Sequence, residues 1–279
     1  GALNEAIKAY EKAGMHYKEY QSIEKMLDSY PTHADYPALV AREYAIGDFY
    51  NEGYREPAFA SLSWIPWLKG DDKSPEIYLQ ALKRAPYAKE APAAKLRTGI
   101  YYLTRFKKLE DRNKALTLLC EVVKEYPNTP ECYFAYVELA NALFQLSLRG
   151  DGDAAHNREA IQVMEDFLRK YPDATERDYL KEMLDRSKDI QAERMLGTAK
   201  FYARMDRQHP AERYLSEILK QYPDSSSAKD AEAMLAGLDR TFVPDQMISM
   251  GAPERLQQLR SFAMPNLEEP LLVAPENSD

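Results

Sequence analysis

One spacing constrains this chain more than any other. Ala115, Leu118, Leu119, Val122, Val123 and Tyr126 fall at i, i+3, i+4, i+7, i+8 and i+11, and Pro127 follows. Side chains at that spacing line one face of an α-helix, and a proline cannot continue it. The spacing returns at Ala160, Val163, Met164, Phe167, Leu168, Tyr171, Pro172 and again at Ala211, Tyr214, Leu215, Ile218, Leu219, Tyr222, Pro223. Two weaker copies lie upstream: Ser74, Ile77, Tyr78, Ala81, Leu82, Ala85, Pro86, and the shorter Ile23, Met26, Leu27, Tyr30, Pro31. Successive closing prolines are separated by 41 residues (Pro86 to Pro127) to 55 residues (Pro31 to Pro86), room for one further helix each time. The repeating unit is therefore a helix pair, and about five pairs are expected. Such units cannot bury an apolar stripe alone and must stack on their neighbours.

The spacing predicts an all-α solenoid over residues 1–240, with a Trp-rich insertion at 53–75 and a proline-rich tail over 241–279. Within it, a first pair fills 3–30, and a helix over 38–52 turns Leu39, Ala45, Ile46 and Phe49 inward, with Gly47 allowing close approach. A helix over 91–108 turns Leu96, Gly99, Ile100 and Leu103 inward. Thr129 is expected to cap a helix that has Pro130 at its first position and Phe134, Ala135, Leu139, Leu143 and Phe144 inside. Arg149 to Asn157 reads as a loop, 176–205 as one long helix with Gly197 as a packing glycine, and Asp206 to Pro210 as a short loop. Asp224 to Ser227 is expected to cap the last helix. In the tail only 254–263 keeps a helical spacing, and Leu271-Leu272-Val273 reads as a docking segment.

Charge and chemistry narrow the function. With 37 Lys and Arg against 45 Asp and Glu, the net charge of −8 excludes nucleic acid as the main partner. The two cysteines, Cys120 and Cys132, flank the Tyr126-Pro127 turn beyond disulfide reach and read as buried thiols. No run approaches the 18 apolar residues of a membrane span. Gly1 reads as a cloning remnant ahead of which a natural leader has been trimmed. His16, His33, His156 and His209 share no metal-ligand spacing. Asp151 and Asp153 suggest a calcium loop, but Ala155, His156 and Gln162 stand where that loop needs an oxygen ligand, glycine and glutamate. There is no phosphate-cradling glycine loop, nucleophile elbow or two-histidine zinc helix. The chain is expected to be no enzyme and to need no cofactor or metal.

What remains is binding. The Trp-rich stretch reads either as a short helix capping a gap in the core or as a partner-binding lip, since tryptophan is enriched at interface hot spots. Tyr44, Trp64, Trp67, Tyr101, Tyr102 and Arg105 are the expected groove residues of the early repeats.

The helix pairs resemble the tetratricopeptide repeat: small residues Ala115, Ala160 and Ala211 open the second helices, and Ala199 and Tyr202 fit first-helix positions. That resemblance makes the expected stack a right-handed superhelical solenoid. The closures Tyr126-Pro127-Asn128-Thr129, Tyr171-Pro172-Asp173-Ala174 and Tyr222-Pro223-Asp224-Ser225 are similar to those of the BamD family, as is Gly47-Asp48-Phe49-Tyr50, over roughly residues 15–238. The Trp-rich insertion and the proline-rich tail depart from that family. The resemblance implies a non-catalytic scaffold of outer-membrane β-barrel assembly, held at the periplasmic face of the outer membrane by a lipidated cysteine that this sequence does not include. Implied partners are the outer-membrane assembly factor at the later repeats and unfolded barrel proteins at the early ones. The alternatives are another cell-envelope repeat adaptor, for wall remodelling or glycan uptake, and a cytoplasmic repeat adaptor.

Overall fold

A computed structural model describes residues 2–56, 70–105, 108–149 and 154–238. Every regular element in them is helical. In chain order these are α1 (Ala2–Lys12), α2 (His16–Ser29), α3 (Tyr36–Asn51), α4 (Ser74–Arg84), α5 (Ala91–Thr104), α6 (Leu109–Glu125), α7 (Pro130–Leu148), α8 (Ala155–Lys170), α9 (Arg177–Arg204), α10 (Gln208–Gln221) and α11 (Ala228–Gly237), with one 3₁₀ turn at Pro31–His33. They fall into two compact units. Of the described residues, the first holds those up to 194 with 224–226, and the second holds 195–223 with 227–238.

In the first unit each helix packs on the next, from α1 on α2 through to α7 on α8. First helices also meet across pairs, α3 on α5 and α5 on α7. That is the contact pattern of stacked helix pairs, and the closing residues show it to be repetitive. Tyr30, Ala85, Tyr126 and Tyr171 end α2, α4, α6 and α8 with φ between −124° and −140° and ψ between 50° and 73°. Each donates its N–H to the carbonyl four residues back. The cause is the following proline, whose ring clashes with an α-conformation at the residue before it. In the second unit Tyr222 ends α10 in the same way, at φ −132° and ψ 52°.

The inward positions of the marked helices are those of the spacing. Eight residues before each closing proline stand Ile23, Tyr78, Leu119, Met164 and Leu215, all at most 1% exposed. Ser74, Ala115, Ala160 and Ala211, at the start of the pattern, are also buried. A side chain this small lets the facing helix approach. Gly47 has the same effect on α3. A Cβ there would lie 2.6 Å from Cε1 of Tyr78.

The first helices correct several expectations. Phe49, Ile100 and Phe134 are 38%, 36% and 55% exposed, and the buried residues around them are Val40, Tyr44, Ile46 and Tyr50 on α3, Ala91 and Ala94 on α5, and Ala135 and Leu139 on α7. Gly197 is not a packing glycine among the described residues, because a Cβ on it would meet none of them within 4 Å. Thr129 stands at the N-cap of α7 but does not cap it; its hydroxyl donates to the Tyr126 carbonyl 3.0 Å away. Ser227 precedes α11 likewise without a side-chain cap. The α8 helix begins at Ala155, inside the expected loop, and α10 begins at Gln208, with Pro210 accommodated in its first turn. Cys132 is a buried free thiol, whereas Cys120 is only half-buried.

Side chains tie successive layers at their closing turns. The Tyr126 hydroxyl donates to the Pro86 carbonyl at 2.6 Å, and the Lys170 ammonium donates to the Pro127 carbonyl at 2.5 Å. One layer thus satisfies a carbonyl that the preceding helix end leaves unpaired. Deeper, Lys95 of α5 sits between Glu121 (2.9 Å) and Glu125 (2.5 Å), one turn apart on α6. Burial pulls its ammonium pKa down, but the bonds to Glu125 and Glu121 outweigh this and hold it raised.

Candidate partner-binding surface

The C-terminal half of α5 gathers aromatic and cationic side chains. The Tyr101 and Tyr102 rings meet edge to face at 5.5 Å. The Arg105 guanidinium lies 4.7 Å from the Tyr101 ring centre, and the Lys114 ammonium of α6 lies 5.4 Å from that of Tyr102. Both distances suit a cation–π contact. Both tyrosines are half-buried and Arg105 is exposed. Burial is the main cause of a raised Tyr101 pKa; Arg105 opposes it, and the carboxylates of Asp72 and Asp71 add to it.

One turn before Tyr101 stands Arg97, on the same helix face. It pairs with Asp48 of α3, and it donates to the Tyr78 hydroxyl at 3.2 Å. That hydroxyl in turn donates to Asp48 at 2.5 Å. Burial, first, and then the bond to Asp48 raise the Tyr78 pKa, so the phenol stays neutral. The side chains of Arg97 and Asp48 are 38% and 41% exposed, so the network reaches solvent beside the tyrosines.

The chain on either side of residues 57–69 is pinned firmly. The Gly70 N–H donates to the Glu56 carbonyl at 2.7 Å. Arg55 donates to the Tyr50 and Tyr54 carbonyls and pairs with Asp72 at 2.8 Å. Asp72 accepts from the Ser74 N–H at 2.9 Å, opening α4. The Glu56 carboxylate accepts from the Tyr17 N–H at 3.0 Å, and the Tyr54 hydroxyl donates to the Gly14 carbonyl at 2.6 Å.

Of the six expected groove residues, Tyr101, Tyr102 and Arg105 come together as one cluster. Tyr44 does not join them. It is 1% exposed, and its hydroxyl donates to the Ala85 carbonyl at 2.9 Å, which makes it a packing residue that closes the α4 turn. Trp64 and Trp67 lie outside the described residues. Sequence reasoning missed Arg97 and Asp48. The one-turn spacing of Arg97 and Tyr101 was readable, but nothing in the sequence pairs Arg97 with an acid 49 residues away.

A different buried acid sits between α2, α3 and α4. Glu43 is fully buried, and neither carboxyl oxygen has a hydrogen-bond partner among the described residues. Burial, and next the Glu24 carboxylate, push its pKa up to about 9, while Arg84 pulls the other way. Arg84 itself is engaged by Glu24 at 2.9 Å and Asp28 at 2.6 Å. Among the described residues no cluster of acids, histidines and cysteines could hold a metal ion, and no helix is long and apolar enough to cross a membrane.

A family model described as YfiO, outer membrane lipoprotein, matches residues 75–249. The chain belongs to the YfiO family. The match begins in the first turn of α4 and takes in every later described helix, including α5 with Arg97, Tyr101, Tyr102 and Arg105. The α5 cluster therefore lies inside the span matched to this outer membrane lipoprotein family. No curated protein matches the chain.

Proposed function

We propose that this chain is a non-catalytic, BamD-like scaffold of outer-membrane β-barrel assembly. On this reading it is lipid-anchored at the periplasmic face of the outer membrane and binds an assembly factor and unfolded barrel proteins. The observation that carries the reading is the YfiO match across α4 to α11. The physics supports it. Stacked pairs present side chains from several helices on one continuous surface, suited to an extended or helical segment of another protein. On α5 that surface combines tyrosine with arginine, the residue types that dominate protein interfaces. Trp64 and Trp67 remain proposed contacts of the same kind.

Depletion of the protein in its native host tests the reading. The expected result is loss of folded barrel proteins from the outer membrane, with unfolded barrels accumulating in the periplasm and wall composition unchanged. Altered wall cross-linking or glycan uptake with normal barrel levels would instead support the adaptor alternative.

A further inference from the structure

The second unit carries a groove of about 570 Å³, lined by Gly197, Lys200, Ala203, Arg204 and Met234. Its floor is apolar and open, because Gly197 has no side chain and no described residue stands within 4 Å of where a Cβ would be. Its rim is cationic. Lys200 and Arg204 stand one turn apart on α9. Among the described residues Lys200 pairs with Asp230 alone, at 3.7 Å and with both side chains about half exposed or more, and Arg204 makes no ion pair. In the adjoining row of α9, Phe201 and Met205 are 51% and 59% exposed. An apolar floor between two weakly used cations suits an acidic segment that also carries large apolar side chains.

The chain supplies one. We propose that Asn266 to Val273 of the C-terminal tail docks in this groove, with Glu268 and Glu269 meeting Lys200 and Arg204 while Leu271, Leu272 and Val273 cover Ala203 and Met234. Charge selects this segment. From residue 261 to the end the chain has no Lys or Arg, and it has Glu268, Glu269, Glu276 and Asp279. Of the other apolar stretches of the tail, 241–252 offers a single acid, Asp245, against the two cations of the rim, and 254–263 carries Arg255 and Arg260 against Glu254 alone, the wrong sign for this rim. Pro270 disfavours a helix through the segment, so the proposed docking is of a non-helical stretch along α9. Reach is sufficient. The tail leaves from Leu238, just past the α11 helix that carries Met234. Treated as a flexible chain, the 29 residues that follow Leu238 up to Leu267 would span about 30 Å root-mean-square. A tether of that length raises the local concentration to about the millimolar range, enough for a weak site to be filled mostly in cis. Docking is independent of the assembly reading, and it makes the groove a surface that a partner must compete for.

Disulfide trapping in the full chain tests it. Ala203→Cys with Leu272→Cys is introduced alongside Cys120→Ser, leaving the fully buried Cys132 in place. An intrachain cross-link is expected. Lys200→Glu with Arg204→Glu should cut its yield about five-fold, the scale of two exposed charge pairs. Adding Glu268→Lys with Glu269→Lys should restore it. A yield indifferent to the reversals, or not rescued by the double reversal, overturns the proposal. So does a cross-link that forms only between chains, which would assign the groove to the tail of a second copy.

Discussion

Two glycines on first helices should respond to the same substitution with opposite signs. At Gly47 an alanine Cβ would stand 2.6 and 2.7 Å from two carbons of the Tyr78 ring, far inside contact distance. The ring cannot swing away freely, because it is buried and its hydroxyl is held by Asp48 and Arg97. Overpacking of this kind costs about 1–3 kcal/mol, and weakening a hydrogen bond to a charged group adds about 1 kcal/mol more. Alanine returns about 1 kcal/mol of helix propensity, so Gly47→Ala should destabilise by about 1–3 kcal/mol. At Gly197 the space is open, the propensity gain is unopposed, and Gly197→Ala should stabilise by about 0.5–1 kcal/mol. The two positions lie in different compact units, so each should be read locally. Native-state hydrogen exchange on the full chain does this. Amides of α3 and α4 should open about 5- to 150-fold more readily in the first variant. Those of α10 should open a few-fold less readily in the second. A neutral or stabilising Gly47→Ala would refute the packing described between α3 and α4. A destabilising Gly197→Ala would mean that the glycine faces a neighbour.

Tyr126→Phe removes one bond between closing turns and leaves the Pro86 carbonyl unpaired; a loss of about 1 kcal/mol in urea unfolding is expected. Glu43 holds its proton in the folded state up to about pH 9 but would release it near 4.5 when unfolded. The unfolded chain therefore binds fewer protons between those values, and stability should fall as pH rises through that window. Glu43→Gln should flatten that slope and be the more stable form at pH 8, by at least about 1.4 kcal/mol, one pKa unit's worth; an unchanged pH profile would show the acid to be ionised in place. Tyr101→Ala with Arg105→Glu should weaken capture of an assembly factor about 30-fold, as loss of about 2 kcal/mol at a hot spot does, with an unchanged circular dichroism spectrum. Undiminished capture would move the contact surface off α5.

The second helices were legible because each carries a one-sided apolar stripe and ends at a residue whose conformation the next proline restricts. Ala115, Leu119 and Val122 on α6 and Ala160, Met164 and Phe167 on α8 are all fully buried, as their spacing required. The first helices were harder to read. The α7 helix is apolar nearly all round, from Cys132 and Ala135 to Leu146, and first helices such as α5 are packed by α4, α6 and their neighbours α3 and α7. A helix covered from several sides has a broad buried arc, so periodicity placed the stripe but misjudged its edges, and Phe49, Ile100 and Phe134 fell outside it. The proposed contact cluster was half legible. Neighbouring aromatics and an arginine could be read along α5, but Tyr44 looked the same in sequence and proved to be core. The Asp48–Tyr78–Arg97 network joins three helices and has no local signature.

Affinity capture with the protein from outer-membrane extract, followed by identification of what co-purifies, bears most directly on the central claim. The account predicts recovery of the β-barrel assembly factor together with unfolded barrel proteins, reduced by Tyr101→Ala with Arg105→Glu. Recovery of wall-remodelling enzymes or sugar transporters without any assembly factor would contradict it.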